Sequence, residues 1–159
     1  MEKRKFYIMC GVPGSGKSTW ARKHLSSPGI AYVSRDEIRF SMIQEGEDYF
    51  SQEKKVFSKF AQEIVAWACM HDVIIDATHI NSASRMRIYD ILTANFDEDK
   101  IEVYCIWMNT PYDVCLARNA QRTGRALVPE HAIESMWRRR RAPHVNEHSI
   151  ISGVWFVEE

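Results

Sequence analysis

Four groups of residues in this chain have the types and the spacing of phosphate chemistry. The first, Gly11-Val-Pro-Gly14-Ser15-Gly16-Lys17-Ser18-Thr19, fits the pattern G-x-x-x-x-G-K-[ST] in full. Its glycines let successive backbone N–H groups turn inward around phosphate oxygens without side-chain clashes. A helix beginning where the loop ends adds unpaired amides and the positive end of its dipole. Lys17 then reaches the β- and γ-phosphates of a nucleotide, and the Ser18 hydroxyl can ligate Mg²⁺. By average residue usage, a chance match in a chain this long is roughly a one-in-two-hundred event. ATP with Mg²⁺ is the expected ligand pair.

The second group is Ser34-Arg35-Asp36-Glu37-Ile38-Arg39, which follows a short apolar run. In open α/β sheets ligands bind beyond the carboxyl ends of the strands. Asp36 at such an end can accept the proton of an attacking hydroxyl. Arg39, one helical turn on, shares its face and can hold an anionic group on the acceptor. The third group is Val73-Ile-Ile-Asp76-Ala-Thr78-His79. An acid ending a buried strand beside a phosphate loop is where Mg²⁺ is held, directly or through water. Ala77 stands where a second acid would polarise water, which argues against a motor-type ATPase.

The fourth group is Arg118-Asn-Ala-Gln-Arg122-Thr-Gly-Arg125. Arg118 and Arg122, four positions apart, are expected on one helix face, and Gly124 lets the loop close over a bound nucleotide. Arginines brought over the phosphates neutralise charge on the transferring group. The further run Trp137-Arg-Arg-Arg-Arg141 reads as a solvated helix end in preference to a nucleic-acid-facing stripe.

The elements that must position these groups follow from the apolar pattern. Strands are expected at Phe6–Cys10, Ile30–Val33, Val73–Ile75, Ile101–Met108 and Val154–Val157. Helices are expected over about 18–25, 36–42, 51–70, 85–92 and 112–121, with another ending near Arg141. The longest shows Phe57, Phe60, Ala61, Ile64, Val65 and Ala68 at helical spacing. Strands alternating with helices predict an α/β fold: a five-stranded, mainly parallel sheet with helices on both faces. A helical lid is expected over about 118–128, all in one domain over 1–159.

Composition sets limits. The chain has 159 residues, 45% of them hydrophobic and 26% charged, enough to build a full core without disulfides. No apolar run approaches the ~20 residues of a membrane span. Net charge is zero, against a generally nucleic-acid-coating protein, yet residues 118–141 hold seven Arg and two Glu. Cys10, Cys69, Cys105 and Cys115 each lie in an apolar run, so buried reduced thiols are expected. The opening MEKRKFYIMCG lacks the long apolar stretch of a signal peptide, and cytoplasm is the expected compartment.

At these residues the chain resembles the kinase domain of phage-type 5′-polynucleotide kinases and the related AAA-33-like P-loop kinases. The likeness runs from Gly11 through Arg22, then through Arg35-Asp36-x-x-Arg39 and Ile75-Asp76-Ala-Thr78-His-Ile-Asn81, with Arg85 after it. It resumes at Arg118-Asn-x-x-Arg122 through Pro129 and Ser135-Met136 and covers the chain to about Arg141. The resemblance implies that the residue matching Asp36 is the general base for a 5′-hydroxyl. It implies that the Arg39 match contacts the phosphate 3′ of the accepting nucleoside, and that Thr78 and Arg85 belong to the acceptor site. The Arg122 match then reaches the transferring phosphates from a lid. No Asp-x-Asp-x-Thr follows a strand, so a 3′-phosphatase is not expected in this sequence.

The expected reaction is ATP·Mg²⁺-dependent transfer of the γ-phosphate to the 5′-OH of DNA or RNA. Lys17, Asp36 and Arg122 are the expected catalytic residues, and Ser18 with Asp76 the expected metal site. A small-metabolite kinase or a zeta-toxin-like nucleotide-sugar kinase keeps the chemistry and changes the acceptor. A nucleotide-binding switch or ATPase acting on a partner protein is the reading from another class.

Overall fold

A computed structural model describes residues 2–158 of the chain. Its single sheet holds β1 (Arg4–Cys10), β2 (Ile30–Ser34), β3 (Asp72–Asp76), β4 (Ile101–Asn109) and β5 (Ile151–Glu158). The spatial order is β2-β3-β1-β4-β5, and every pairing is parallel. β1 lies in the middle, so Phe6, Ile8, Met9 and Cys10 are buried whichever face they occupy. β5 is an edge strand and keeps Trp155 and Phe156 exposed.

The described residues form six α-helices: α1 (Lys17–His24), α2 (Arg35–Met42), α3 (Glu53–Ala68), α4 (Ser82–Asn95), α5 (Tyr112–Ala120) and α6 (Glu130–Arg139). α3 buries Val56, Phe60, Ile64 and Ala68, one stripe at four-residue spacing, and α4 buries Ile88, Tyr89 and Leu92 beside it. Together they cover one face of β1, β3 and β4. On the other face Ala21 of α1, with Trp20 and Leu25, packs on Met9, Ile74, Ile106 and Met108. A third, smaller cluster of Val12, Ile80 and Cys115 sits with Met136 and Trp137 of α6.

Several boundaries differ from the sequence expectation, each for a local reason. α4 begins at Ser82 because Asn81 and Ser84 form a capping box, with Asn81 accepting from the Ser84 amide at 3.0 Å. α5 stops at Ala120, so Arg122 lies beyond the helix and does not share a helical face with Arg118. The segment after it is a loop with a short 3-10 turn at Gly124–Ala126. Its far end is stapled back: Asn119 Nδ2 donates to the Val128 carbonyl at 2.8 Å and Asn119 Oδ1 accepts from the Val128 amide at 3.1 Å. Its middle reaches across to α2, where Arg125 donates to the Phe40 and Ile43 carbonyls. All four thiols are free and three are buried, but Cys69, at the C-cap of α3, is exposed. Among the described residues no helix is long and apolar enough to cross a membrane.

The chain leaves β1 for β2 on one side and crosses from β3 over β1 to β4 on the other. Strand order therefore reverses at β1, and ligands of open α/β sheets bind beyond the carboxyl ends at such a point. The phosphate loop and Asp36 follow such ends, and Asp76 is the last residue of β3.

Candidate active site

The loop between β1 and α1 is pinned from three sides. The Gly11 amide donates to the Thr78 carbonyl at 2.8 Å, Thr110 Oγ1 donates to the Ser15 carbonyl at 2.7 Å, and Arg118 donates to the Gly14 carbonyl at 3.3 Å. Gly14 adopts φ 83° and Gly16 φ 89°, the left-handed region that side chains disfavour. A Cβ on Gly14 would also collide with the carbonyl oxygen of Cys115. Gly16 caps α1 without any side-chain hydrogen bond to the first-turn amides. Those amides, the buried Ser15 hydroxyl that has no hydrogen-bond partner, and the buried Lys17 together make a cradle for anionic oxygen.

Asp76 ends β3 next to this cradle and is almost fully buried. Ser18 Oγ donates to its Oδ2 at 2.6 Å, and the Tyr32 hydroxyl donates to the same oxygen. Burial, then the charge of Asp76, raises the Tyr32 pKa, which keeps that hydroxyl a donor. Asp76 Oδ1 is buried and accepts nothing. A bare carboxylate oxygen beside a serine hydroxyl at a phosphate cradle fits Mg²⁺, which takes few protein oxygens and completes its shell with water and phosphate. Ser18 and Asp76 are the residues that would hold it.

Across the cleft, α2 starts at its N-cap Ser34, whose hydroxyl accepts from the Glu37 amide at 3.2 Å. That start projects Asp36 and, one turn later, the buried Arg39. Arg39 is held by Glu53 at the head of α3, through Nε to Oε1 at 2.6 Å and Nη2 to Oε2 at 3.1 Å. Its Nη1 donates to Asp36 Oδ1 and, at 3.0 Å, to the Tyr49 hydroxyl. Glu53 also pairs with Arg35 at 3.0 Å. Burial alone would raise the Asp36 pKa; Lys17, Arg39, the Tyr49 hydrogen bond and Arg122 outweigh it and hold the carboxyl below the usual aspartate range. Asp36 is therefore ionised and able to take a proton.

Lys17, Asp36, Arg39, Asp76 and Thr78 line one cleft of about 310 Å³ with Tyr49, Phe50 and Arg139. Arg118 touches the phosphate loop, Arg122 acts on Asp36 through its charge, and Thr19 lies exposed on α1. Arg85 belongs elsewhere. It is completely buried, pairs with Glu147 through two hydrogen bonds of 2.8 and 2.7 Å, and donates to the His79 and Arg141 carbonyls. So engaged, it joins α4 to the segment before β5 and is not placed to meet an acceptor. His79 is buried too: its Nδ1 donates to the Met9 carbonyl at 2.7 Å, and burial brings its pKa down to about 3, so it is neutral.

The run Trp137–Arg141 is only partly solvated. Arg140 lies over the Trp137 ring at 3.5 Å, Arg139 lines the cleft, and the Arg141 amide donates to the Ile80 carbonyl at 2.7 Å. Tyr32, Tyr49 and Glu53 are the site residues that sequence reasoning missed. The weak signals were an acid heading a helix and two tyrosines whose hydroxyls needed partners.

Residues 6–143 match AAA_33, an AAA domain. The chain belongs to the AAA_33 family. It is a P-loop kinase domain by fold, and solved structures agree. A chain of the Pnkp1/Rnl/Hen1 RNA repair complex matches 86% of this AAA_33 domain at 25% identity and TM-score 0.69, over 43% of its own length. This chain thus spans less than half of that protein. A sugar kinase from Janibacter sp. HTCC2649 matches 98% of the chain at 19% identity and TM-score 0.64, over 85% of its own. A fungal RNA kinase matches 99% at 13% identity and TM-score 0.62, over 75% of its own. The last two share the fold.

Proposed function

We propose that this AAA_33 domain transfers the γ-phosphate of ATP to the 5′-hydroxyl of a nucleic acid. One observation carries the reading: an ionised Asp36 and a phosphate cradle with Lys17 face each other across a single cleft. The cradle binds the triphosphate, with Gly11, Gly14, Ser15, Gly16, Lys17, Ser18 and Thr19 at the nucleotide. Ser18 and Asp76 would hold Mg²⁺, which when bound would supply charge neutralisation to the phosphates. Asp36 takes the acceptor's hydroxyl proton as that oxygen forms its bond to the γ-phosphorus. The bond from phosphorus to the β–γ bridging oxygen breaks, and ADP leaves. Lys17 and Arg122 balance the charge on the phosphoryl in flight, with residues 118–128 as the lid.

A nucleic-acid acceptor is supported by the cations that line the cleft. Arg35, Arg39 and Arg139 line the cleft, and a guanidinium suits a phosphodiester. Arg39, already held by Glu53, Asp36 and Tyr49, has one of its five N–H groups left for the acceptor. The likeness to a chain of an RNA repair complex supports the same choice. The sugar kinase likeness, which covers most of both chains, favours a metabolite acceptor as the second reading.

The test offers γ-labelled ATP with a 5′-OH oligonucleotide, a nucleoside 3′-monophosphate, the free nucleoside and a sugar panel. The oligonucleotide and the 3′-monophosphate should be labelled. The free nucleoside should be poorer by roughly 10- to 150-fold in kcat/KM, as expected for one charge-assisted contact. Label on a sugar and on neither nucleotide acceptor would leave a kinase with a different substrate.

A further inference from the structure

We propose that Tyr49 is a positioning residue for Asp36, fixing Oδ1 so that Oδ2 is the oxygen that receives the acceptor's proton. This rests on the general-base reading of Asp36 above. Tyr49 sits in the connection from α2 to α3, a stretch with no apolar period, and its hydroxyl donates to Asp36 Oδ1 at 2.7 Å. Arg39 Nη1 donates to that same Oδ1. Both contacts fall on one carboxylate oxygen. Among the described residues nothing donates to Oδ2, although Asp36 lines the cleft.

The direction of the Tyr49 proton is determined. A hydroxyl has one hydrogen to give, and a guanidinium has no lone pair to accept it. Because Arg39 Nη1 donates to the Tyr49 oxygen at 3.0 Å, the Tyr49 hydrogen is left to Asp36. The ring that carries the hydroxyl is clamped. The Arg39 guanidinium lies 4.5 Å from its centroid, Phe50 meets it edge-on at 4.7 Å, and Phe40 lies 6.2 Å away. Burial, then the charge of Asp36, raises the Tyr49 pKa, so the donor keeps its proton over the working range.

A neutral donor also solves a chemical conflict. A base must be oriented, but each cation that orients it makes it weaker. Lys17 from α1, Arg39 from α2 and Arg122 from beyond α5 already bear on Asp36. A tyrosine in place of a further cation fixes the carboxylate's rotation at a smaller cost in basicity.

The test is Tyr49→Phe, which keeps the ring and removes the proton. Turnover should fall ~10-fold with the KM for ATP unchanged. The acidic limb of kcat/KM for the acceptor should move to higher pH by up to ~1 unit, because one group stabilising the carboxylate is gone. A carboxyl NMR titration of Asp36 reads the same midpoint without turnover and should move up alike. Equal midpoints and equal turnover in Tyr49→Phe and wild type would overturn the assignment. Asp36→Asn, run in parallel, keeps the two claims apart. It should lose roughly 10²–10⁴ in turnover, and near-normal turnover there would remove the general-base reading itself, whatever Tyr49 does.

Discussion

Glu147→Ala should be among the most destabilising single changes in the molecule. Arg85 is fully buried, and the Glu147 side chain is only 6% exposed. Glu147 takes two hydrogen bonds from Arg85 and one from the Tyr89 hydroxyl. Truncation leaves a guanidinium in the core without its counter-charge, a loss of about 3–5 kcal/mol. For a domain of this size each kcal/mol moves Tm by ~2–4 °C, so the midpoint should fall by roughly 6–20 °C.

Urea denaturation followed by the fluorescence of the five tryptophans measures the loss directly. An Arg85→Met/Glu147→Met pair should recover part of it, because no charge is then stranded. Recovery should be incomplete, since the His79 and Arg141 carbonyls lose their donor. pH gives a second check. Burial would raise the Glu147 pKa, but hydrogen bonds from Arg85 and Tyr89, with the charges of Arg85 and His144, bring it below the ordinary glutamate range. The pair's contribution is therefore present above the unfolded value of about 4.3 and lost as pH falls through the lower folded one. A Glu147→Ala loss under about 1 kcal/mol, or a double variant no more stable than the single, would refute the argument.

Two further outcomes are expected. Arg122→Ala should lower kcat by roughly 10²–10³ with a smaller change in the KM for ATP, because its charge is assigned to the transferring group; steady-state kinetics showing a loss confined to that KM would make Arg122 a ground-state clamp. Gly14→Ala forces a side chain into φ 83° and against the Cys115 carbonyl, so it should cost at least ~1–2 kcal/mol in melting experiments and weaken ATP binding. Gly29→Ala, where an added Cβ meets nothing within 4 Å, is the control and should stay within ~0.5 kcal/mol.

The parts of the site that could be read in the sequence are those whose geometry is local. The phosphate loop is one contiguous motif, and Asp36 and Arg39 are three positions apart on one helix, so spacing alone puts them together. What could not be read are the partners brought in by the chain's return. Glu53 lies fourteen residues from Arg39, in what reads as an ordinary solvated helix start. Tyr32 sits in an apolar strand and looks like core until its hydroxyl is seen on Asp76, 44 residues away. The family resemblance implies an acceptor-site role for Arg85, and nothing in the sequence near it points instead to Glu147, 62 positions downstream in a stretch without periodicity. The four-residue spacing predicts Arg122 on the helix of Arg118, but that helix ends at its C-cap, Gln121. Fold class survived these errors because it rests on the alternation of apolar runs, to which no single polar contact contributes.

The bridge made by Arg125 joins the loop after α5 to the end of α2. One end of the loop is stapled through Asn119 to α5, which also carries the arginine on the Gly14 carbonyl. Its middle grips the last carbonyls of α2, the helix whose first turns bear Asp36 and Arg39. If the loop shifts toward a bound nucleotide, this contact would carry the shift to α2, and a shift of α2 would act back on the loop. Linkage makes such a connection symmetric: whatever factor ATP applies to acceptor affinity, the acceptor applies to ATP. The connecting element is a single exposed side chain on backbone carbonyls, so under the proposed function a change at Arg125 would alter any such coupling while leaving the residues of the cleft in place.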